Sequence, residues 1–247
     1  MLVLIPPSET KRSGGGSACL DWTALSYRQL NTRRQALAQS LVQVCGDTDS
    51  AMAALKLGRT QAGEIERNRQ LFTSAGMPAI DRYTGVLFDA LDAETLSTVA
   101  RSFAAESLVV HSALFGLLGA LDPIPAYRLS HDSRLPDHAL KPHWGPAITD
   151  VLAATSGLIL DFRSQGYVAL GRAPERPDSV FLHVVTLASD GRARALNHFN
   201  KTAKGRLARE LMKHGEHFTA AADLLDWAAT AGFDLRQSAP HTLTLVV

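Results

Sequence analysis

Charged and polar side chains follow several apolar runs of the sequence, in an arrangement suited to acid–base chemistry or to anion binding. They are Ser8, Glu9, Thr10, Lys11, Arg12, Asp122, Tyr127, Arg128, Asp161 and Arg163. The apolar runs before them, at 2–5, 107–112 and 158–160, are typical of buried strands. Ligands of open α/β sheets bind outside the carboxyl ends of the strands. The sequence therefore predicts one shared, charged cleft, and the alternative is a set of separate ion pairs in loops.

A basic stretch at 201–213 contributes further candidate cations. At helical spacing, Lys201 and Lys204 lie toward the apolar side near the start of the predicted helix, and Arg206 and Lys213 lie on the opposite side. A lysine on a core-facing side must reach solvent or meet a partner, and a helix N-terminus favours anions. These two lysines are therefore expected to attract a negatively charged ligand. The alternative is a frayed first turn that leaves both ammonium groups in water.

The elements that must position these side chains indicate a mixed fold. Strands are predicted at 2–5, 107–112, 158–160, 180–188, 193–197 and 241–247. Helices are predicted at 22–45, 48–57, 92–105, 201–213 and 219–230. The strands at 180–188 and 193–197 form a predicted hairpin that turns at Asp190 and Gly191. The fold class is α/β (or α+β), with a mixed sheet flanked by helices, in a single domain over residues 1–247.

The composition excludes several classes of protein. In 247 residues, 25 Lys and Arg balance 24 Asp and Glu, and the net charge of +1 argues against a dedicated polyanion-binding domain while leaving room for a local basic patch. No apolar run approaches the ~20 residues that span a membrane, and the apolar start is too short for a secretory signal. Cys19 and Cys45 have no C-x-x-C spacing and suit a reducing compartment. The sequence predicts a cytoplasmic protein.

Common cofactor and catalytic motifs are absent from the sequence. The glycines at 14–16 follow a predicted strand but match neither phosphate-loop pattern, and neither G-x-S-x-G nor H-E-x-x-H occurs. Two histidine pairs, His138 with His143 and His214 with His217, are expected to be ordinary surface or core side chains. No cofactor and no metal site is therefore predicted.

Several segments carry a family likeness. They lie at 2–11, 83–85, 112–118, 121–129, 143–145 and 200–206, and they run from one end of the chain to the other. On these segments the chain resembles the peroxide stress protein YaaA family. The string at 114–129 is the most specific of them.

The resemblance implies a single α/β domain with a positively charged cleft, a role in survival of peroxide stress, lower free intracellular iron and protection of DNA. It also implies a helix–hairpin–helix-like element that binds duplex DNA, for which the apolar and glycine pattern at 114–119 is the candidate. Such elements hold phosphates by backbone N–H groups and read no base sequence. The expected nucleic-acid or anion contacts are Ser8, Thr10, Lys11, Arg12, Gly116, Tyr127, Arg128, Lys201, Lys204 and Arg206.

Three functional hypotheses follow. The first is a stress-response protein whose basic cleft binds duplex DNA without sequence preference. The second is an enzyme that acts on a small anionic or nucleotide-like substrate, with Glu9, Asp122, Asp161 and Lys201 as candidate catalytic residues. Direct handling of iron or haem is a third, with little support from the histidine spacing. Carboxylates and lysines in one deep pocket would favour the enzyme, and a wide basic groove would favour DNA.

Overall fold

A mixed β-sheet lies at the centre of the fold in the computed structural model, which describes residues 1–16, 18–187, 193–194 and 197–247. The strands are β1 (Leu2–Ile5), β2 (Met77–Pro78), β3 (Leu108–Ser112), β4 (Gly116–Gly119), β5 (Pro123–Ile124), β6 (Ile159–Asp161), β7 (Ser179–Leu187), β8 (Ala193–Arg194), β9 (Asp234–Ala239) and β10 (Thr242–Val246). The large sheet has the order β4-β3-β1-β6-β7-β10-β9, with β8 paired to β7, while β2 and β5 form a small second sheet.

Helices pack against this sheet and complete the predicted α/β class. They are α1 (Asn31–Val44), α2 (Thr48–Leu55), α3 (Gly63–Arg69), α4 (Ala79–Arg82), α5 (Val86–Leu91), α6 (Thr98–Ser107), α7 (Leu140–Ala153), α8 (Gln165–Val168), α9 (Asn197–His214) and α10 (Ala221–Thr230). Short 3₁₀ turns occur at Trp22–Ala24, Arg28–Leu30, Arg59–Gln61 and Ala93–Thr95. In the part of the chain that the structure describes, no helix combines the length and the apolar composition needed to cross a membrane.

The centre of the sheet is parallel, and this places the strand ends that carry charged residues at one edge. β1 lies between β3 and β6 and runs parallel to both, and β6 pairs in parallel with β7. All four residues of β1 are buried, as expected for a continuous apolar run covered on both faces. The carboxyl ends of β1, β3, β6 and β7 therefore meet at the same edge.

Helices α6 and α9 begin at other residues than predicted, and one predicted cap is confirmed. The predicted helix at 92–105 is wrong at its start, because Asp92 adopts a left-handed backbone (φ 47°) and the helix begins at Thr98, capped by the Ser97 hydroxyl. The cap predicted at Asp47 is confirmed, since its carboxylate accepts from the Ser50 N–H. α9 begins at Asn197, four residues before its predicted start.

The predicted helix–hairpin–helix at 114–119 is wrong, because this segment forms the turn and second strand of a β-hairpin. β3 pairs with β4 in antiparallel register, and the Ser112 hydroxyl accepts from the N–H groups of Leu114 and Phe115, which holds the turn. Gly116 has a positive φ of 65°, and a Cβ there would lie 2.9 Å from the Trp144 ring. Gly116 is buried, so its backbone cannot reach a phosphate as predicted.

The hairpin predicted from 180 to 197 is confirmed in its pairing. β7 and β8 are antiparallel, with Thr186 opposite Arg194. The predicted turn at Asp190 and Gly191 lies outside the described residues. Several elements have no counterpart in the sequence predictions: β2, β5, β9, α3, α4, α5, α7 and α8.

Candidate functional site

A cleft of about 440 Å³ opens at the carboxyl edge of the parallel strands, and we call it the basic cleft. It is lined by Pro6, Leu87, Phe162, Arg163, Ser164, Gln165, Phe181, Leu182, His183, Asn200, Lys201 and Lys204. The lining contains three cationic side chains, Arg163, Lys201 and Lys204, and no carboxylate among the residues that the structure describes. The cleft is therefore suited to a negatively charged ligand.

Lys204 is the buried cation of this cleft. Lys204 is only 5% exposed, and its Nζ lies 5.4 Å from the centroid of the Phe181 ring. Burial lowers the pKa of Lys204 to about 8, and the nearby Asp161 carboxylate opposes that shift in part. No described residue accepts a hydrogen bond from the ammonium group. The group keeps its hydrogen-bonding capacity for a ligand.

Helix α9 holds Lys204 in place through close backbone packing on helix α5. Gly205 approaches Leu87 so closely that a Cβ would lie 2.2 Å from the Leu87 carbonyl oxygen. Lys201, one turn earlier, is exposed, whereas Lys204 lies against β7. The predicted pairing of these two lysines at a helix N-terminus is therefore wrong in part. The helix starts earlier than expected, and Lys204 lies about two turns inside it.

Arg163 joins the ends of β3 and β6 behind the basic cleft. It donates to both carboxylate oxygens of Asp161, from Nε at 2.8 Å and from Nη2 at 2.6 Å. Its Nη1 donates to Nδ1 of His111 at 2.8 Å. Burial, and then the charge of Arg163, hold the pKa of His111 well below its usual range. His111 is therefore neutral, with its proton on Nε2, and that buried atom has no described partner.

Lys11 occupies a second buried position, on the loop that follows β1. Its Nζ lies 4.0 Å from the centroid of the Tyr127 ring and 5.1 Å from that of Tyr83. It donates to the carbonyl oxygens of Ser8 and Glu9 at 3.0 and 3.2 Å. Burial, followed by the charge of Arg128, lowers the pKa of Lys11 to about 7.

A line of three buried hydroxyls lies beside Lys11. The Tyr127 hydroxyl is 2.6 Å from Ser112 Oγ and 2.7 Å from the Tyr83 hydroxyl. Because Ser112 Oγ already accepts two backbone N–H groups, it donates to Tyr127, and Tyr127 in turn donates to Tyr83. Burial raises the pKa of both tyrosines, so they stay protonated and supply hydrogen bonds rather than charge.

The structure brings some of the predicted site residues together. Glu9 forms an ion pair with Arg128 at 2.7 Å, beside Lys11. Asp161 lies at the end of β6, next to the basic cleft that holds Lys201 and Lys204. The predicted residues at the strand ends thus form two groups, and Glu9, Lys11 and Arg128 do not line the basic cleft. The carboxylates of both groups are held by arginines.

Other predicted residues lie elsewhere. Asp122 is at the far end of the β3–β4 hairpin, where its carboxylate accepts from the N–H and hydroxyl of Ser26 and the N–H of Gly119. That is the edge opposite the strand ends, so Asp122 is part of a turn and does not reach the cleft. Arg12 pairs with Glu94. Ser8 and Thr10 hydrogen-bond to each other and, through Thr10, to Thr84, and Arg206 is exposed on α9.

His111, Ser112 and Tyr83 are part of this region and were not predicted as site residues. The signal available for His111 was a titratable residue inside an otherwise apolar strand, next to a serine. Across the described ranges, no group of three or more His, Cys, Asp or Glu side chains is placed to hold a metal ion. The basic cleft can bind an anion, and its lysine can exchange a proton near neutral pH.

Comparisons with known proteins give the chain clear relatives. A family model described as peroxide stress protein YaaA matches residues 1–239. The chain is 41% identical over 254 residues to a UPF0246 protein of Corynebacterium glutamicum, with all of both chains covered. It is 39% identical over 249 residues to a UPF0246 protein of Streptomyces coelicolor, covering 97% of this chain and 94% of the other.

Proposed function

The chain belongs to the peroxide stress protein YaaA family, and from that premise we propose that it serves the response to peroxide by binding a small anionic molecule in the basic cleft. The cleft volume of about 440 Å³ is in the range of small-molecule sites, roughly 300–1,000 Å³. A phosphate or carboxylate group is the expected ligand chemistry, because three cations and no described carboxylate line the cleft.

One observation carries this proposal: the ammonium group of Lys204 is buried and has no hydrogen-bond or ion-pair partner among the described residues. Burying a cation without a partner is costly, so such a group is retained where a ligand supplies the missing charge. At 5% exposure Lys204 is out of reach of a duplex, whose phosphates lie on a broad surface, but within reach of a small molecule inside the cleft. This favours a small ligand over DNA as the partner of Lys204.

Lys204 also suits an enzyme rather than a simple receptor. A general acid or base works best when its pKa lies near the working pH, and Lys204, which lines the cleft, has a pKa of about 8. Asp161 and Glu9, predicted as catalytic carboxylates, are instead held by Arg163 and Arg128. In this proposal Lys204 moves protons, and the carboxylates position the arginines.

The test is phosphate binding by calorimetry with the wild-type chain and the Lys204→Met variant. Loss of a hydrogen bond to a charged group costs about 1.5–3 kcal/mol, so the variant should bind inorganic phosphate or pyrophosphate about ten- to hundredfold more weakly. The matched control is Lys213→Met, which removes an exposed lysine of the same helix that pairs with Glu210. Equal affinity of wild type and Lys204→Met, or no binding by the wild type, would overturn the proposal.

Binding of duplex DNA without sequence preference is the second candidate, and the exposed cations Lys201 and Arg206 on α9 favour it. Neither has an ion-pair partner among the described residues. The remaining predicted phosphate contacts are buried or paired with carboxylates: Lys11, Arg12, Arg128 and Lys204. Lower free iron and protection of DNA stay predictions that rest on the family.

Salt dependence tests the DNA candidate. Each phosphate contact contributes about 0.9 to the slope of log affinity against log salt, so two contacts give about −2 and all six predicted cations would give about −5. Fluorescence anisotropy with a labelled duplex should give a slope of about −2. A Lys201→Ala, Arg206→Ala double variant should not bind the duplex. Absence of binding at low salt, or a slope near −5, would contradict this assignment.

A further inference from the structure

A second pocket adjoins the basic cleft, and we call it the side pocket. It has a volume of about 280 Å³ and is lined by Asp161, Gln165, Val168, Ala169, Arg172, Ala173, Pro174, Glu175, Ser179, Val180, Phe181 and His241. Gln165 and Phe181 line both spaces, so the two are direct neighbours. A ligand larger than a phosphate can therefore extend from one into the other.

The two spaces differ in charge. In the described part of the chain, the basic cleft has cations and no carboxylate. The side pocket has the carboxylates of Asp161, which is paired with Arg163, and of Glu175, together with the guanidinium of Arg172. Carboxylates repel a phosphate but accept hydrogen bonds from hydroxyl and amino groups. A ligand that spans both spaces is therefore oriented, with its anionic end in the basic cleft and its neutral, hydrogen-bonding end in the side pocket.

The walls of the side pocket suit a flat heteroaromatic group. Val168, Ala169 and Pro174 give an apolar surface, and the half-buried ring of Phe181 lies at the junction with the basic cleft. Aromatic rings are stabilised by contacts with other rings beyond the effect of the area that they bury. The pocket therefore offers a surface for stacking together with polar groups around it.

Hydrogen-bonding groups without a described partner also favour a heteroaromatic group in the side pocket. Nδ1 of His241 is buried and has no partner in the described ranges. His241 holds a left-handed backbone, with φ of 60°, in the turn between β9 and β10, and its carbonyl oxygen accepts from the Phe181 N–H at 2.8 Å. The turn thereby ties the His241 backbone to the strand that carries Phe181. A ring nitrogen and the Gln165 amide are the kinds of group that read the edge of a base.

We propose that the basic cleft and the side pocket together bind a nucleoside monophosphate. Its phosphate lies against Lys204 and Lys201, and its base stacks beside Phe181 in the side pocket. Lys204 Nζ is 5.4 Å from the Phe181 ring centroid, so both sites fall within the length of one nucleotide. The assignment rests on the proposed anion binding and narrows its substrate class to nucleotides.

The first test compares ligands on the wild-type chain by calorimetry. The probes are AMP, GMP, CMP and UMP, with ribose 5-phosphate and inorganic phosphate as the ligands that lack a base. At least one nucleotide should bind tenfold or more tightly than ribose 5-phosphate. If ribose 5-phosphate binds as tightly as every nucleotide, the inference is overturned while anion binding stands. If none of the six ligands binds, both proposals fall.

The second test fills the side pocket. Ala169 is exposed at the end of α8, so Ala169→Trp places a ring in the pocket without entering the core. The variant should lose the nucleotide advantage and keep the wild-type affinity for inorganic phosphate. Ala153→Trp, at an exposed position of α7 that lines neither space, is the matched control. A nucleotide advantage that survives in Ala169→Trp would overturn the inference.

Discussion

Replacement of Lys204 by methionine is expected to make the folded chain more stable at neutral pH. Burial lowers the pKa of Lys204 from 10.5 to about 8, a difference of about 2.5 pKa units between the unfolded and folded chain. At 1.36 kcal/mol per unit, keeping this lysine protonated in the folded state costs about 3 kcal/mol. Methionine has a similar length and no charge, so Lys204→Met removes that cost and keeps most of the apolar contact with Phe181.

The gain in stability from Lys204→Met should decrease as the pH rises. Below about pH 8 the lysine is protonated in both the folded and the unfolded chain, and its full cost applies. Between about pH 8 and 10.5 the folded chain has lost this proton and the unfolded chain still binds it, so the wild type becomes more stable as pH rises. The advantage of Lys204→Met should therefore be largest below pH 8 and shrink toward zero near pH 10.5.

Urea denaturation at a series of pH values from 6 to 10 measures this difference directly. Lys213→Met serves as the control, because that exposed lysine should give a small difference that does not vary with pH. Saturating phosphate should reverse the ranking, since a bound anion stabilises the wild type more than the variant. A destabilised Lys204→Met variant at pH 7, or a pH-independent difference, would refute the reasoning.

Two further substitutions test the groups around the cleft. Asp161→Asn removes the charge that Arg163 contacts through two hydrogen bonds, and leaving a buried arginine without its partner should cost about 3–5 kcal/mol, measured by urea denaturation at pH 7. Tyr127→Phe removes the hydroxyl between Ser112 and Tyr83, and thermal unfolding should show a loss of about 1–3 kcal/mol. An unchanged stability in either variant would contradict the corresponding contact.

The strands that carry the site were predictable from the sequence because they are continuous apolar runs. β1 coincides with its predicted range, β3 begins one residue later than predicted, and β6 begins and ends one residue later. The start of α2 was also predictable, because the side chain of Asp47 caps this helix. The charged residues just after β1 and β6 were therefore placed at the correct edge of the sheet.

The features that the sequence did not predict depend on contacts between distant parts of the chain. Lys201 and Lys204 lie on similar sides of the predicted helix, but only Lys204 is covered by β7. This difference in burial depends on tertiary packing. The segment at 114–119 contains glycines and leucines that fit either a hairpin of strands or a turn between helices. Arg34 stabilises the hairpin of strands, because it donates to the carbonyl oxygens of Phe115 and Leu117 from more than 80 residues away.

The placement of β1 has a consequence for how the chain is made. This strand contains residues 2–5, yet its neighbours are β3 and β6, which contain residues 108–112 and 159–161. At a synthesis rate of about 5–20 residues per second, roughly 8–30 s pass before both neighbours have emerged from the ribosome. Four apolar residues stay unpaired during that interval, so the nascent chain is expected to depend on a chaperone, or on slow translation of its second half, more than a fold of local contacts would.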